Sequence, residues 1–168
     1  MSYHPVTEQI IAFLRSNGCP FRTFEHAPVR TSEEAARLRP EYTLHQGAKA
    51  LIVKVKNPQQ DKKFTMLVFP ADLRFDSKRV KEILGVKEVS FATEEEVAAA
   101  TGGVQVGGVP PFGNLFSLDV LADESLFGND EIIFNAGDRS FSIAMKSADY
   151  RKLVNPHIAS FASHRTNG

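Results

Sequence analysis

The 168-residue chain has no Trp and a single cysteine, Cys19, and its 20 Lys and Arg are balanced by 20 Asp and Glu. One cysteine excludes an internal disulfide and suits a reducing compartment, so a cytoplasmic location is expected. Zero net charge argues against a protein that wraps long nucleic acid, which needs a broad basic surface. It leaves room for a few cations to grip one strand end. No apolar run approaches the roughly 20 residues that cross a bilayer. The opening stretch MSYHPVTEQI lacks a basic head followed by an apolar segment, so no secretory signal and no membrane partner are expected.

Familiar chemical signatures are missing as well. There is no GxxxxGK[ST] phosphate loop, and Gly103 and Gly107 are wrongly spaced for a dinucleotide fingerprint. No Ser sits in a GxSxG elbow, which removes support for a Ser-His-Asp hydrolase. The five His are scattered without ligand spacing, so neither metal nor cofactor is expected. Cys19 has no motif around it, and packing is its default role.

What remains is an ordinary globular composition, 42% apolar and 24% charged, with thirteen Phe to build a core. This length suits one domain, taken as residues 1–168. Helical spacing of Val6, Ile10, Phe13 and Leu14 predicts a helix over 6–17, stopped at Gly18. A strand is expected over 21–25, then a short helix opened by the Thr31/Glu34 capping box. Runs 48–55 and 64–69 read as a hairpin across NPQQDKK. Asp76 or Ser77 caps a helix ended by Gly85, a strand is expected over 88–91, and Thr93/Glu96 form a second capping box before Gly102. Further strands are predicted over 115–121, 131–134 and 141–145, then a helix from Ser147 broken by Pro156, and a short terminal helix bearing Ile158 and Phe161. Interleaved strands and helices with several hairpins indicate a mixed sheet with helices outside it.

Four segments could carry chemistry. In HQGAKALIVKVK, strand alternation puts Lys49 in phase with Leu51, Val53 and Val55, at the mouth of the apolar face. The side chain either snorkels to water or meets an anionic substrate group. In GGVQVGGVPPFGN, five glycines and two adjacent prolines exclude a helix or central strand. Such a loop is either a structural crossover or a rigid array of backbone N–H groups aimed at a carbonyl or oxyanion. Asn135-Ala136-Gly137-Asp138 reads as a hairpin turn. The basic residues Arg74, Lys78, Arg79 and Lys81 form either a solvated face or a docking patch for phosphates.

In order along the chain, these segments resemble the YbaK/ProX family of free-standing aminoacyl-tRNA deacylases, which are related to the editing domain of bacterial prolyl-tRNA synthetases. The resemblance runs from about His26 to Met145. It is carried by His26-Ala27-Pro28-Val29-Arg30-Thr31-Ser32-Glu33-Glu34-Ala35, by Lys49-Ala50-Leu51-Ile52-Val53, by Gly107-Gly108-Val109-Pro110-Pro111 followed by Phe112-Gly113, and by Asn135-Ala136-Gly137. It implies a mixed α/β fold, with a strongly curved mixed β-sheet approaching a barrel and helices around it. It also implies hydrolysis of the ester joining a small amino acid, such as Ala, Ser, Thr or Cys, to tRNA. Lys49 falls on the family's functional lysine, expected to stay charged and anchor the tRNA 3′ end. Gly108 and its loop neighbours are expected to donate to the ester carbonyl. His26, Thr31, Gly107, Val109, Pro110, Pro111, Phe112, Asn135, Ala136 and Gly137 are the candidate substrate-binding residues. The partner implied is the aminoacyl-tRNA acceptor end, and an aminoacyl-tRNA synthetase is a further candidate. Pro110 departs from the Ser found in many relatives, which removes a hydroxyl and a backbone donor. Two rival readings are a Schiff-base enzyme using neutral Lys49 and a non-catalytic module that binds tRNA or a synthetase.

Overall fold

The computed structural model describes residues 3–28, 37 and 40–164. The expected helix opened by Thr31 falls outside them. Helix α1 (Pro5–Ser16) starts where His4 Nδ1 accepts the Val6 N–H at 3.1 Å. That acceptance leaves Nε2 as the N–H, and it donates to the Gly102 carbonyl at 2.8 Å, tying the helix start to a distant loop. Val6, Ile10 and Leu14 form the buried stripe of α1.

Ten strands are assigned among the described residues: β1 (Phe21–Glu25), β2 (Ala48–Asn57), β3 (Gln60–Pro70), β4 (Arg74–Phe75), β5 (Glu88–Phe91), β6 (Asp119–Asp123), β7 (Glu131–Asp138), β8 (Phe141–Lys146), β9 (His157–Ala159) and β10 (Ala162–Ser163). They make a mixed five-stranded sheet in the order β5-β2-β3-β6-β9, an antiparallel sheet β1-β8-β7 and a small β10-β4 pair. The sheet therefore does not close into a barrel. A parallel bridge between Gly47 and Ile133 brings the start of β2 alongside β7. The even positions Ala48, Ile52, Phe134 and Ala136 then line one main core with α1, Phe112 and Tyr150. Odd positions face the other way. Val53 and Val55 meet Val80 of helix α2 (Ser77–Leu84), and Ile133 meets Tyr42.

Local signals set several boundaries. The Asp76 carboxylate accepts from the Lys78 and Arg79 N–H groups, and Gly85 ends α2 at φ +66°. Thr93 and Glu96 form a complete capping box on helix α3 (Glu94–Thr101), which ends at left-handed Gly102. Helix α4 (Ser147–Val154) precedes Pro156 as expected.

Three expectations need correction. The predicted strand 115–121 is a 3-10 turn over Gly113–Phe116 followed by β6, separated at Ser117, whose φ is +55°. The expected terminal helix is instead β9 and β10, and the buried Asp123 carboxylate accepts from the Phe161 and Ala162 N–H groups. The expected turn 135–138 lies inside β7. Asn135 pairs with Ser142 and Asp138 with Phe141, so Ala136 and Gly137 form a bulge, and Arg139-Ser140 make the hairpin tip. The Asp138 carboxylate accepts the Ser140 N–H, a short polar side chain shaping a tight turn. No helix among the described residues is long and apolar enough to cross a membrane.

Candidate functional site

The end of β1 and the β7–β8 hairpin meet the glycine-proline loop in one hydrogen-bonded track. His26 Nε2 lies 2.8 Å from Ser142 Oγ, and its Nδ1 lies 2.9 Å from the Ala27 carbonyl. Ser142 Oγ is 3.1 Å from Asn135 Oδ1, and Asn135 Nδ2 donates to the Gly107 carbonyl at 2.7 Å. Ser142 and Asn135 are cross-strand partners on the face away from the main core, which is why side chains distant in sequence converge. The structure thus brings together His26, Asn135 and Gly107 of the expected site. Ser142 was missed. Its only sequence signal is strand alternation, which sets it opposite Asn135.

The loop is pinned from several sides. The Gly137 N–H donates to the Gly108 carbonyl at 2.8 Å, and the Arg139 guanidinium grips the Val106 carbonyl through Nε at 2.8 Å and Nη2 at 2.5 Å. The Tyr150 hydroxyl donates to the Pro111 carbonyl at 2.6 Å, and full burial pushes the Tyr150 pKa far upward, keeping it a donor. Gly137 adopts φ +95° against the first turn of α1, where a Cβ would stand 2.4 Å from Val6 Cγ1. Only glycine fits there. A polar cleft of about 390 Å³ lies beside this junction, lined in part by Tyr3, His4, Gln105, Gly108 and Arg139.

Two expected roles change. The Gly108 N–H is already donated to the Gln105 carbonyl at 2.9 Å, so it is not a spare donor for a substrate. The amides of Gly107 and Val109 make no hydrogen bond to another described residue, and Gly107 is exposed. Phe112 and Ala136 are fully buried; Phe112 packs its ring against Phe13, Phe134 and Tyr150. Val109, Pro110 and Pro111 are buried too. Their side chains are buried, and the main-chain N–H of Val109 has no partner among the described residues. Thr31 lies outside the described residues.

Lys49 is exposed and forms no ion pair with a described residue. Side-chain alternation fixes its direction relative to the track. Gly47 bridges Ile133 in parallel, so Lys49 and Asn135, each two residues further along, lie on the same outer face. Phe69 is the cross-strand partner of Lys49 and belongs to that face as well. An ammonium without a described ion-pair partner, the exposed Gly107 and a polar track therefore share one side of the two bridged sheets. That arrangement suits an anion flanked by a carbonyl group. Among the described residues no three His, Cys, Asp or Glu side chains converge as metal ligands would.

Known proteins share this sequence pattern and this fold. The family model described as the aminoacyl-tRNA editing domain matches residues 26–153. The multifunctional Ser/Thr-tRNA deacylase ProXp-y of Escherichia coli K12 is 36% identical over 163 residues, covering 96% of each chain. The prolyl-tRNA editing protein ProX of Acetoanaerobium sticklandii is 24% identical over 151 residues, covering 88% of this chain and 89% of its own. Among solved structures, one described as a trans-editing enzyme candidate for prolyl-tRNA synthetase superposes with a TM-score of 0.80 at 24% identity, over 96% of this chain and 99% of that one.

Proposed function

The chain belongs to the aminoacyl-tRNA editing domain family, and from that membership we infer that it is an aminoacyl-tRNA deacylase, a hydrolase acting on mischarged tRNA. The ester it cleaves joins a small amino acid to the terminal ribose. Serine and threonine head the candidates, because the E. coli relative named as a Ser/Thr-tRNA deacylase is similar along nearly the whole chain.

An aminoacyl ester is already activated, so the protein must place it, place a water and stabilise the tetrahedral oxyanion. Lys49 holds a phosphate of the tRNA 3′ end through a charge-assisted contact. Of the donors expected from Gly108 and its loop neighbours, the Gly107 and Val109 amides take the role, and preorganised donors of this kind contribute about 3–4 kcal/mol. Water attacks the carbonyl carbon, the oxyanion collapses, and the ribose oxygen leaves with a proton. A neighbouring ribose hydroxyl assists the water, so no covalent nucleophile is needed. His26, Ser142 and Asn135 fix the Gly107 carbonyl and line the amino-acid side of the site. One methylene discriminates by only about 1–3 kcal/mol, so choice among small side chains rests on pocket shape.

The observation that carries this reading is the hydrogen-bonded track from His26 to Gly107 on the face that bears Lys49. The test is release of labelled amino acid from a panel of tRNAs mischarged with Ala, Ser, Thr or Cys. Release from at least one, at a rate well above the uncatalysed one, is expected. Binding without release from any of them would favour a non-catalytic tRNA-binding module.

A further inference from the structure

The face that carries Lys49 continues into a ladder of aromatic rings. Phe69, the cross-strand partner of Lys49, has its ring centroid 6.0 Å from Phe75, and Phe75 lies 5.7 Å from Phe91, edge to face in both cases. Phe69 is buried, but Phe91 at the end of the ladder is 65% exposed. Phe91 is the partner of Val53 on edge strand β5, so its side chain lies on the same face as Lys49, Leu51 and Val53. Four residues of β2 separate the levels of Lys49 and Phe91, roughly 14 Å at strand rise. That is about the length of four stacked nucleotides at about 3.4 Å each.

The segment that bears Phe75 also bears Arg74, Lys78 and Arg79. All three are exposed, and none pairs with a described acidic residue. Lys78 and Arg79 sit in the first turn of α2, which contains no acidic residue, where the helix dipole disfavours cations. The carboxylate beside them, Asp76, is committed to capping the helix, and Glu82 is exposed one turn further on. The exposed Phe91 ring rests on Phe75, whose segment carries these cations, while Glu94 and Glu95 are exposed on the other side of Phe91; ring and cations together match the chemistry of single-stranded nucleic acid, which offers base faces to stack and phosphates to neutralise.

We propose that Phe91, braced by Phe75, is a stacking platform for the unpaired 3′ nucleotides of the tRNA, with Arg74, Lys78 and Arg79 neutralising the adjoining phosphates. The platform rests on the tRNA-deacylase reading and gives it a docking surface. The face of β2 between these levels is packed under α2, so the single-stranded tail passes outside that core from Phe91 toward Lys49 and delivers its last residue to the Gly107 loop. Stacking is sequence-tolerant, so this surface supplies affinity and the loop supplies selection.

The test is anisotropy binding of uncharged tRNA, compared with the same tRNA lacking its unpaired 3′ tail. Phe91→Ala is expected to weaken full-length tRNA roughly 10-fold, with Phe91→Tyr restoring it, and to leave tail-less tRNA unchanged. An Arg74→Ala/Lys78→Ala double variant is expected to lower the salt slope of log K by about 1.5. Unchanged affinity of Phe91→Ala for full-length tRNA would overturn the platform, as would equal loss on both RNAs. So would a self-associating wild type that Phe91→Ala renders monomeric, which would make this a protein interface. These binding measurements need no turnover. A platform that fails while mischarged tRNA is still cleaved leaves the deacylase reading intact, and the reverse outcome removes that reading alone.

Discussion

Replacing Gly137 by alanine should damage the fold and the site together, and the size of the effect follows from two contributions. Gly137 sits in the β7 bulge at φ +95°, a backbone region that costs a non-glycine residue about 1–3 kcal/mol. The new Cβ would also lie 2.4 Å from Val6 Cγ1 and 2.8 Å from Thr7 Oγ1, with the Thr7 backbone nitrogen at 3.3 Å. The valine is stiff, and Thr7 is held by its hydroxyl donating to the Ala136 carbonyl at 2.6 Å. Relief therefore requires shifting α1 or the bulge, an overpacking cost of about 1–3 kcal/mol. Together these give about 2–6 kcal/mol, or roughly 4–24 °C in melting temperature for a chain of this length. Gly107→Ala is the matched control. Its φ is +91°, but its Cβ would meet only the Arg139 side chain, at 3.3 Å, so it carries the backbone cost with little packing cost. Urea denaturation of both variants isolates the difference. If Gly137→Ala is no less stable than Gly107→Ala, the bulge is free to move away from α1 and the proposed rigidity of the loop anchor is wrong.

Two other perturbations follow from the same contacts. Tyr150→Phe removes the buried donor to the Pro111 carbonyl, leaves that carbonyl unpaired, and should cost about 1–3 kcal/mol by urea denaturation. Glu96 is held well below its ordinary value of 4.5, at about 2, foremost by the Thr93 backbone N–H and then by the Lys54 ammonium. Its folded-state pKa is depressed, so its contribution is complete above about 4.5 and is lost as pH falls toward about 2. The stability gap between wild type and Glu96→Gln should accordingly close across that window, and a gap independent of pH would contradict the assignment.

Much of the fold was legible because its signals are local. Asp76, Gly85, Thr93 with Glu96, and Gly102 each announce a helix end through their own backbone chemistry, and each does so in the structure. The C-terminal segment was misread because Ile158 and Phe161 are three apart, a spacing that suits a helix. Their strands exist only through pairing with distant β6 and β4 and through the Asp123 carboxylate. The 135–138 segment carries turn residues, yet its glycine serves a bulge against α1, a tertiary requirement that no local pattern states. At the site, composition exposed the glycine-proline loop, and alternation gave the face of Lys49. The link from His26 through Ser142 to Asn135 depends on strand register, and Ser142 carries no motif of its own. Which loop amide is already occupied is a hydrogen-bonding question, and Gly108 looks the same as Gly107 until the backbone is traced.

The account turns on Lys49 as the charged anchor for the tRNA end beside the Gly107 loop. Single-turnover release of serine or threonine from mischarged tRNA, compared between wild type and Lys49→Ala, tests it most directly. Loss of one charge-assisted contact of about 1.5–3 kcal/mol predicts a fall of roughly 10- to 150-fold in kcat/KM, with the melting temperature unchanged because the side chain is exposed. A Lys49→Ala variant that deacylates as fast as wild type would contradict the account.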